Sequence, residues 1–401
     1  MGKAAARYAV WFMAVLAAFV LLMTLAHCIP NSMVAYHQET SKTILSMESE
    51  WLWFGNFFGV DAGRLDNTTD NIMVDGVIIQ DDGMSPLQAA MSVNGYSRYW
   101  HGYLVFLRPL MIWLNYWQIR YVNMFVFFLL VCAVFRLIGK RVGAGGAYSF
   151  AVALIACYIV IIPVSMQYIS VFLVMLCSMA YMLIRCERMD MPLFFMIVGM
   201  VTNFVDFLTA PILTLGMPLL LCLYMDIRCE EERPWRWYLG RIFTCSLLWG
   251  IGYGLCWASK WLIGTMVLGE SVFESAAGHA SYWTQNNWGN DRIIAAEQNF
   301  AYFFLAQGKR VFFPFVPVIL GGIVCAACFR SDKWKRAFCL VPVCTYPYVW
   351  YMVLANHSLY HTWFTNRAQA ITLFGGCLFL CALTDGRKLR DWLRKRKKQR
   401  V

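Results

Sequence analysis

Charge is scarce in this chain. Only 14% of its 401 residues are charged, whereas 60% are hydrophobic, and acids are the rarer sign, with 23 Asp and Glu against 34 Lys and Arg. Apolar runs of about 20 residues, the length that crosses a bilayer, recur along the chain. This composition predicts an all-α, polytopic membrane protein.

Several signals of other protein classes are missing. Residues 29–118 and 265–309 contain no cysteine, so no disulfide framework is indicated, and Cys325 with Cys328 on an apolar helix suggests packing rather than zinc binding. In "GKRVGAGGAYS" (139–149) the Lys precedes the glycines and no strand comes before them, which excludes a phosphate-binding loop. A sustained internal repeat, common in transporters, is also missing, which is weak evidence against a transporter.

We expect ten membrane spans, with ends uncertain by a few residues. The predicted spans are 8–28, 119–138, 147–164, 167–184, 191–206, 208–226, 242–264, 310–329, 337–354 and 368–384. They form one transmembrane domain over 1–384, followed by a basic tail over 385–401. The first helix is predicted to be an anchor rather than a signal peptide, because it is long and lacks a small-x-small cleavage site.

The positions of the basic residues predict the orientation. With the N-terminus in the cytoplasm, the cytoplasmic segments hold 24 of the 34 Lys and Arg. Both termini are therefore predicted to be cytoplasmic, and the net charge of +11 gives no indication of nucleic-acid binding. The tail either holds the last helix in place or binds anionic lipid headgroups.

Two long segments, 29–118 and 265–309, are predicted to lie outside. In the first, an apolar stripe from Ile44 to Phe58 predicts an interfacial helix that ends at Gly59, and Ser85 with Pro86 predicts a further helix start. The stretch "HGYLVFLRPLMIWLNYW" is too short and interrupted for a span and suggests a re-entrant or interfacial piece. The second segment is rich in Trp, Tyr, Asn and Gln, which suits either a sugar site or an aromatic belt at the membrane surface.

The run "GRLDNTTDNIMVDG" (63–76) concentrates acid in the first segment. Two interpretations are open. Asp66 caps a helix with Asp70 in its first turn, or one of the two is a general base, which takes a proton from an attacking hydroxyl. Asp81 and Asp82 in "QDDG" form a second acidic pair, but Gly83 marks a turn there.

All six histidines are predicted to lie on the outer face or at the outer ends of spans. His357 and His361 are four residues apart and would share a helix face. A metal is possible with such a pair, but no nearby carboxylate completes a ligand set, so we expect no metal cofactor. A phosphate held by His and Arg fits better, since a guanidinium pairs with two phosphate oxygens. The candidate substrate-binding residues are Arg98, His101, His357, His361, Arg367 and, less strongly, Asp206, a loop acid between two spans.

This pattern resembles the GT-C superfamily of membrane glycosyltransferases. The stretches "RLDNTTD", "RYWHGYLVFLRPL" and "FVDFLTAPILTLGMPL" are similar to those of uncharacterised bacterial membrane proteins of this group. The resemblance implies a bacterial plasma-membrane enzyme that takes a sugar from a polyprenyl phosphate carrier. The acceptor hydroxyl belongs to a glycan, a lipid or a protein, and the acid of the first loop acts as the base. Family members often carry adjacent acids in this loop, as in "QDDG", whereas Asp66 and Asp70 are four apart.

The implied reaction is an inverting transfer, in which Asp66 or Asp70 deprotonates the acceptor while Arg and His stabilise the departing lipid phosphate. Two alternatives remain open. One is a flippase or transporter of lipid-linked saccharides, although charged residues within the spans are scarce. The other is a non-catalytic membrane scaffold.

Overall fold

The computed structural model describes residues 2–48, 63–81, 83–229, 233–286, 289, 291–305, 314–386 and 388–389. Most of the predicted interfacial helix over 44–58 lies outside these residues, as do Asp82 and nearly all of the basic tail. The first four residues of the predicted interfacial helix, 44–47, belong to a helix that ends at Met47.

The described residues are helical and contain no strands, which confirms the all-α prediction. A single isolated bridge joins Phe329 to Thr384. The α-helices are α1 (Gly2–His27), α2 (Asn31–Met47), α3 (Asn67–Asp75), α4 (Pro86–Ser92), α5 (Leu104–Leu110), α6 (Tyr116–Arg141), α7 (Ala144–Ala156), α8 (Met166–Arg185), α9 (Met191–Val205), α10 (Leu213–Arg228), α11 (Trp235–Leu268), α12 (Val272–Thr284), α13 (Asp291–Phe304), α14 (Phe315–Ala327), α15 (Trp334–Ala337), α16 (Val341–Cys344), α17 (Tyr346–Val353), α18 (Ala355–Tyr360), α19 (Thr362–Thr365) and α20 (Ala370–Leu383).

Five helical stretches among the described residues are long and apolar enough to cross a membrane. They are Ala4–His27, Tyr116–Arg141, Met166–Arg188, Trp235–Leu268 and Thr362–Leu383. Each coincides with one of the ten predicted spans. The chain therefore has the helices of an integral membrane protein, as predicted, while the total of ten spans stays a prediction.

Within the described residues, the other five predicted spans are shorter or broken helices, and residues 310–313 of the span predicted over 310–329 lie outside the described residues. Among them, α7, α9 and α14 are apolar but have only 13 to 15 residues. The predicted span 337–354 consists of several short helical pieces, with prolines at 342 and 347. Proline lacks an N–H and clashes with the preceding turn, so it ends or kinks a helix. Hydropathy averages over such breaks and does not detect them.

Glycines allow α9 and α11 to pack backbone against backbone. A Cβ added at Gly199 would clash with the Trp249 carbonyl, and one added at Gly252 would clash with the Met196 carbonyl. Small residues at such positions let two helices approach closely, which is a common device for packing in membranes. This contact fixes α9, and with it the loop that begins at Asp206.

In the first long segment, the helix predicted from Ser85 and Pro86 is confirmed. Ser85 caps α4 and exchanges hydrogen bonds with Gln88, and Pro86 is the first helical residue. The stretch predicted to be short and interrupted contains α5, with Pro109 inside it. Arg108 on α5 is fully buried and donates to the carbonyls of Ala26, Ile29 and Val77, which ties the segment to the end of α1.

Candidate functional site

Asp66 begins α3 as its N-cap. Its carboxylate accepts a hydrogen bond from the Thr69 N–H at 3.0 Å, and Asp70 follows in the first helical turn. The helix-capping interpretation of this acidic run is therefore correct as a description of local structure. Asp66 is nevertheless only 2% exposed, and burial raises the pKa of its carboxyl above the usual range.

The Asp70 carboxylate is surrounded by hydrogen-bond donors. Oδ2 accepts from the Tyr116 hydroxyl at 2.5 Å and the Met166 N–H at 3.3 Å, and Oδ1 accepts from the Ser165 hydroxyl at 3.1 Å and the Gln167 N–H at 3.0 Å. Two of these donors are backbone N–H groups of the first turn of α8, which have no partner inside their own helix. Asp70 therefore fastens α3 to the start of α8 and to α6. We call this arrangement the Asp70 anchor.

Arg120 on α6 extends the Asp70 anchor. Its guanidinium donates to Glu48 at 2.5 Å, to the Val164 carbonyl at 2.9 Å and to Asn67 at 3.4 Å. Its charge also lowers the pKa of Asp70, but burial has the larger effect and raises that pKa to about 6.

Asp66 faces residues from the other end of the chain. The indole of Trp363 lies near the carboxylate and favours its ionised form, and the guanidinium of Arg64 lies 4.7 Å from the centroid of the Trp363 ring. The positive charge of Arg64 favours the ionised carboxylate and partly opposes the effect of burial on its pKa. An acid, a cation and an indole thus converge where α3 begins.

The two histidines predicted to share a helix face lie beside this group. The rings of His357 and His361 have their centroids 4.8 Å apart, and Trp363 is 5.1 Å from His361. Trp283, from α12, packs against both imidazoles at 5.1 and 5.3 Å. Burial lowers the pKa of His361 to about 4 and that of His357 well below its usual value, so both rings are neutral at pH 7.

Arg367 reaches the same region through Tyr168. The guanidinium of Arg367 lies 4.2 Å from the centroid of the Tyr168 ring, and the Tyr168 hydroxyl donates to the Arg64 carbonyl at 3.0 Å. The structure therefore brings several predicted site residues together with aromatic and basic neighbours. The Asp66 cluster comprises Arg64, Asp66, Tyr168, Trp283, His357, His361, Trp363 and Arg367.

Arg98 and Asp206 lie in a second group, the Arg98 cluster, which comprises Tyr96, Arg98, Tyr99, Asn203 and Asp206. The Arg98 guanidinium lies 3.8 Å from the centroid of the Tyr96 ring and 5.5 Å from that of Tyr99. The Arg98 carbonyl accepts hydrogen bonds from two tryptophan indoles of α11. Asp206 ends α9 and accepts a hydrogen bond from the Thr209 N–H at 3.1 Å.

The surroundings of His101 indicate a structural role rather than ligand binding. Both ring nitrogens have neighbours, the Tyr96 carbonyl at 2.8 Å and the Tyr103 hydroxyl at 3.4 Å. The residue adopts a left-handed backbone conformation, with φ of 55°. The next residue, Gly102, donates its N–H to the Phe204 carbonyl at 2.8 Å, and a side chain there would clash with that carbonyl. His101 and Gly102 thus seat the 96–103 loop on the end of α9.

Helix α12 borders both clusters. His279 is close enough to Arg98 for that charge to lower the His279 pKa, although burial is the larger cause. Trp283, one turn later on the same face, contacts the histidine pair. Helix α12 therefore has residues near both clusters.

Buried polar atoms without a protein partner are concentrated here. Within the described part of the chain they include Nδ1 of His279, His357 and His361, Nε of Arg98, Oε1 of Gln167 and Oδ1 of Asn203. Leaving such an atom unsatisfied costs about 1–3 kcal/mol, so a region that gathers several of them suits a polar ligand. The described residues include no group of three or more His, Cys, Asp or Glu that could hold a metal ion.

A cleft of about 270 Å³ lies at the other end of α3, between the end of α1 and α4. It is lined in part by His27, Gly76, Asp81 and Ser92. None of the eight predicted site residues lines it. Asp81, the described half of the "QDDG" pair, therefore belongs to a different surface from Asp66.

Sequence reasoning missed four members of the Asp66 cluster: Arg64, Tyr168, Trp283 and Trp363. Arg64 and Trp363 are close in sequence to predicted residues, so that proximity was an available signal. Tyr168 sits at the start of an apolar span, and Trp283 is one of several tryptophans in its segment. For these two residues no local pattern indicates a site.

The comparisons with known proteins give no relative on which to base an identity: no family model, curated protein or solved structure matches this chain.

Proposed function

We propose that this chain is a membrane glycosyltransferase of the GT-C type, which moves a sugar from a polyprenyl phosphate carrier to an acceptor hydroxyl. The observation that carries the proposal is the convergence of Asp66 with His357, His361 and Arg367. A desolvated acid, two neutral imidazoles and guanidinium groups in one place supply both functions that such a transfer needs, a base and a phosphate site.

In this proposal Asp66 is the base. The acceptor O–H gives its proton to the Asp66 carboxylate, and the oxygen attacks the anomeric carbon. The bond from that carbon to the phosphate oxygen breaks, and its electron pair leaves with the lipid phosphate. We assign Asp66 rather than Asp70 because the Asp70 carboxylate already accepts four hydrogen bonds, which hold it in place and stabilise its charge.

Arg367, His357 and His361 would bind the phosphate. A neutral imidazole can donate one N–H to a phosphate oxygen, and a guanidinium can donate two. Arg98 and Asp206, in the Arg98 cluster, would contact the sugar. His101 would only position the loop that carries Arg98. No metal or organic cofactor has a role in this scheme.

The burial of Asp66 sets a condition on the proposal. At 2% exposure the carboxylate meets an acceptor only when the Trp363 indole and the Arg64 guanidinium move away from it. Donor binding would supply the driving force, because Arg64 would exchange its position over the indole for a phosphate oxygen.

The proposal includes a membrane orientation. The site would face the outside of a bacterial plasma membrane, with both termini in the cytoplasm and ten spans in total. The positive-inside distribution of Lys and Arg supports this orientation.

The test uses the full-length protein in membranes, supplied with radiolabelled polyprenyl phosphate hexoses and pentoses. We expect wild type to transfer label, and Asp66→Asn to lose about 10²–10⁴-fold of the rate, the usual range for general base catalysis. The matched control is Asp75→Asn at the other end of α3, whose carboxylate instead pairs with Lys42 at 2.7 Å.

Two results would overturn the proposal. Transfer at the wild-type rate by Asp66→Asn would remove Asp66 as the base. A wild-type protein that transfers no sugar from any of these donors would favour a non-catalytic scaffold. If it instead moves the intact lipid-linked sugar across the membrane, it is a flippase.

A further inference from the structure

The cleft at the end of α3 has the features of a second binding site. Its volume of about 270 Å³ is slightly below that of typical ligand pockets, which measure about 300–1,000 Å³. Its floor is buried, with His27 and Ser92 4% and 8% exposed, and its rim is formed by exposed polar residues that include Asp81. It therefore matches a ligand of about the size of one sugar ring.

The floor presents two polar groups. Nδ1 of His27 lies 2.8 Å from the Met23 carbonyl and must donate to it, so Nε2 is the ring nitrogen left for a ligand and is an acceptor in the neutral ring. The Ser92 hydroxyl oxygen accepts from the Gly95 N–H at 3.1 Å, and its own proton stays available. The floor thus offers one acceptor and one donor.

The rim adds a carboxylate and apolar surface. Oδ1 of Asp81 accepts from the Gly83 N–H at 2.9 Å, and Asp81 lines the cleft together with Gln80. Ile78 and Met84 supply apolar walls. Among the described residues that line the cleft, the charged side chain is the carboxylate of Asp81. It would repel a phosphate or carboxylate ligand, whereas hydroxyls can donate to the carboxylate and the imidazole.

The backbone around the cleft is held rigidly. The Asn31 side chain makes hydrogen bonds to both the N–H and the carbonyl of Ile79, at 3.0 and 2.7 Å, and the Asn94 amide donates to the carbonyls of Asp75 and Ile78. These side-chain hydrogen bonds take the place of the backbone hydrogen bonds that a helix or sheet would provide. The cleft is thus formed before any ligand binds, which lowers the entropic cost of binding.

One wall of the cleft has a strained backbone. Val93, Asn94 and Gly95 are consecutive residues with φ of 41°, 58° and 83°. A β-branched residue such as Val93 is a marked outlier in this left-handed region, and strain of this kind is concentrated at ligand-binding sites and switches. In this left-handed conformation Val93 and Asn94 both line the cleft.

We propose that this cleft binds a neutral sugar unit, with Asp81, His27 and Ser92 forming hydrogen bonds to its hydroxyls and Ile78 and Met84 covering its C–H surface. Asp66 and Gly76, the two caps of α3, are ten residue steps apart, which separates the cleft from Asp66 by about 15 Å at ~1.5 Å per residue. A saccharide chain of a few units spans that distance. The cleft would therefore hold a distal unit of a glycan acceptor, an assignment that rests on the proposed function.

The test measures direct binding to the purified full-length protein in detergent, by saturation-transfer NMR and calorimetry. The probes are glucose, galactose, mannose and N-acetylglucosamine. We expect at least one to bind wild type saturably, with a Kd of about 1 mM, and to bind Asp81→Asn and Ser92→Ala about tenfold more weakly. Asp75→Asn, which removes a carboxylate charge at the end of α3 outside the cleft lining, should bind as wild type does.

Two outcomes would overturn the site: no saturable binding of any of the four sugars to wild type, or equal affinity for wild type and Asp81→Asn. Asp66→Asn separates this proposal from the enzymatic one. Sugar binding that survives in Asp66→Asn but is lost in Asp81→Asn supports the cleft even if no donor sugar is ever transferred. Binding lost only in Asp66→Asn would place the sugar elsewhere and contradict the cleft.

Discussion

Asp66 and Asp70 lie one turn apart on the same short helix, both are buried, and burial raises the pKa of both, yet their surroundings differ. Four donors from α6 and the start of α8 fix the Asp70 carboxylate. Asp66 interacts with the N–H and the side chain of Thr69 in its own helix and otherwise faces Trp363 and Arg64. The comparison teaches that burial and a raised pKa do not identify a catalytic acid, because the number of fixed donors must also be counted.

Asp70→Ala should have the largest effect on stability. It leaves four donors buried without an acceptor, which we expect to lower the free energy of unfolding by about 3–5 kcal/mol. The measurement is the thermal unfolding midpoint in detergent. As a control, Asp75→Ala removes a surface ion pair from the same helix and should cost less than about 1 kcal/mol. Equal shifts for the two variants would contradict the Asp70 anchor.

Tyr116→Phe tests one hydrogen bond of the Asp70 anchor. The Tyr116 hydroxyl donates to a carboxylate, so its removal should cost about 1.5–3 kcal/mol. Tyr168→Phe removes a bond of the same type to a neutral carbonyl, in the Asp66 cluster, and should cost about 0.5–1.5 kcal/mol. Chemical or thermal unfolding of the two variants side by side measures the difference. A larger loss for Tyr168→Phe would reverse our ranking of the two regions.

The last prediction concerns the pH dependence of stability, which has opposite signs for His361 in the Asp66 cluster and for Asp70 in the Asp70 anchor. Burial lowers the pKa of His361 to about 4, so the unfolded chain binds this proton more readily than the folded chain does. The stability that the neutral imidazole contributes to the folded chain is therefore lost as pH falls from about 6.5 to 4. Asp70 has a pKa raised to about 6, so its contribution is lost as pH rises from about 4 to 6. His361→Gln should therefore differ less from wild type at pH 5 than at pH 7 in unfolding midpoint. A constant difference would show that the imidazole is not buried as described.

Local features of the fold were predictable because their signals involve neighbouring residues. Ser85 and Pro86 start a helix, Asp66 caps another, and the rings of His357 and His361 lie close together because their spacing of four residues is about one helical turn. Long apolar runs likewise identified the five longest apolar helices. The breaks at Pro342 and Pro347 were visible in the sequence but were outweighed by hydropathy.

The composition of the candidate site was only partly predictable. His357, His361 and Arg367 do lie near Asp66, but Arg98 and Asp206 form a neighbouring group, and His101 is held by Tyr96 and Tyr103. Tyr168 and Trp283 could not be identified, since an aromatic residue in an apolar helix looks the same in sequence whether it packs in a core or borders a site. Distances between segments far apart in the chain depend on how the helices pack.

The sequence by itself determined that this is a helical chain with membrane-spanning segments and that acid is concentrated in a capped helix of its first long loop. It did so because hydropathy, helical period and capping are properties of short stretches. Only the tertiary structure decided that Asp70 is an anchor, that Asp66 faces Trp363, which contacts His361, and that Asp81 lines a separate cleft. The role of a buried carboxylate depends on which donors and charges other segments bring to it, and those segments meet only in the folded protein.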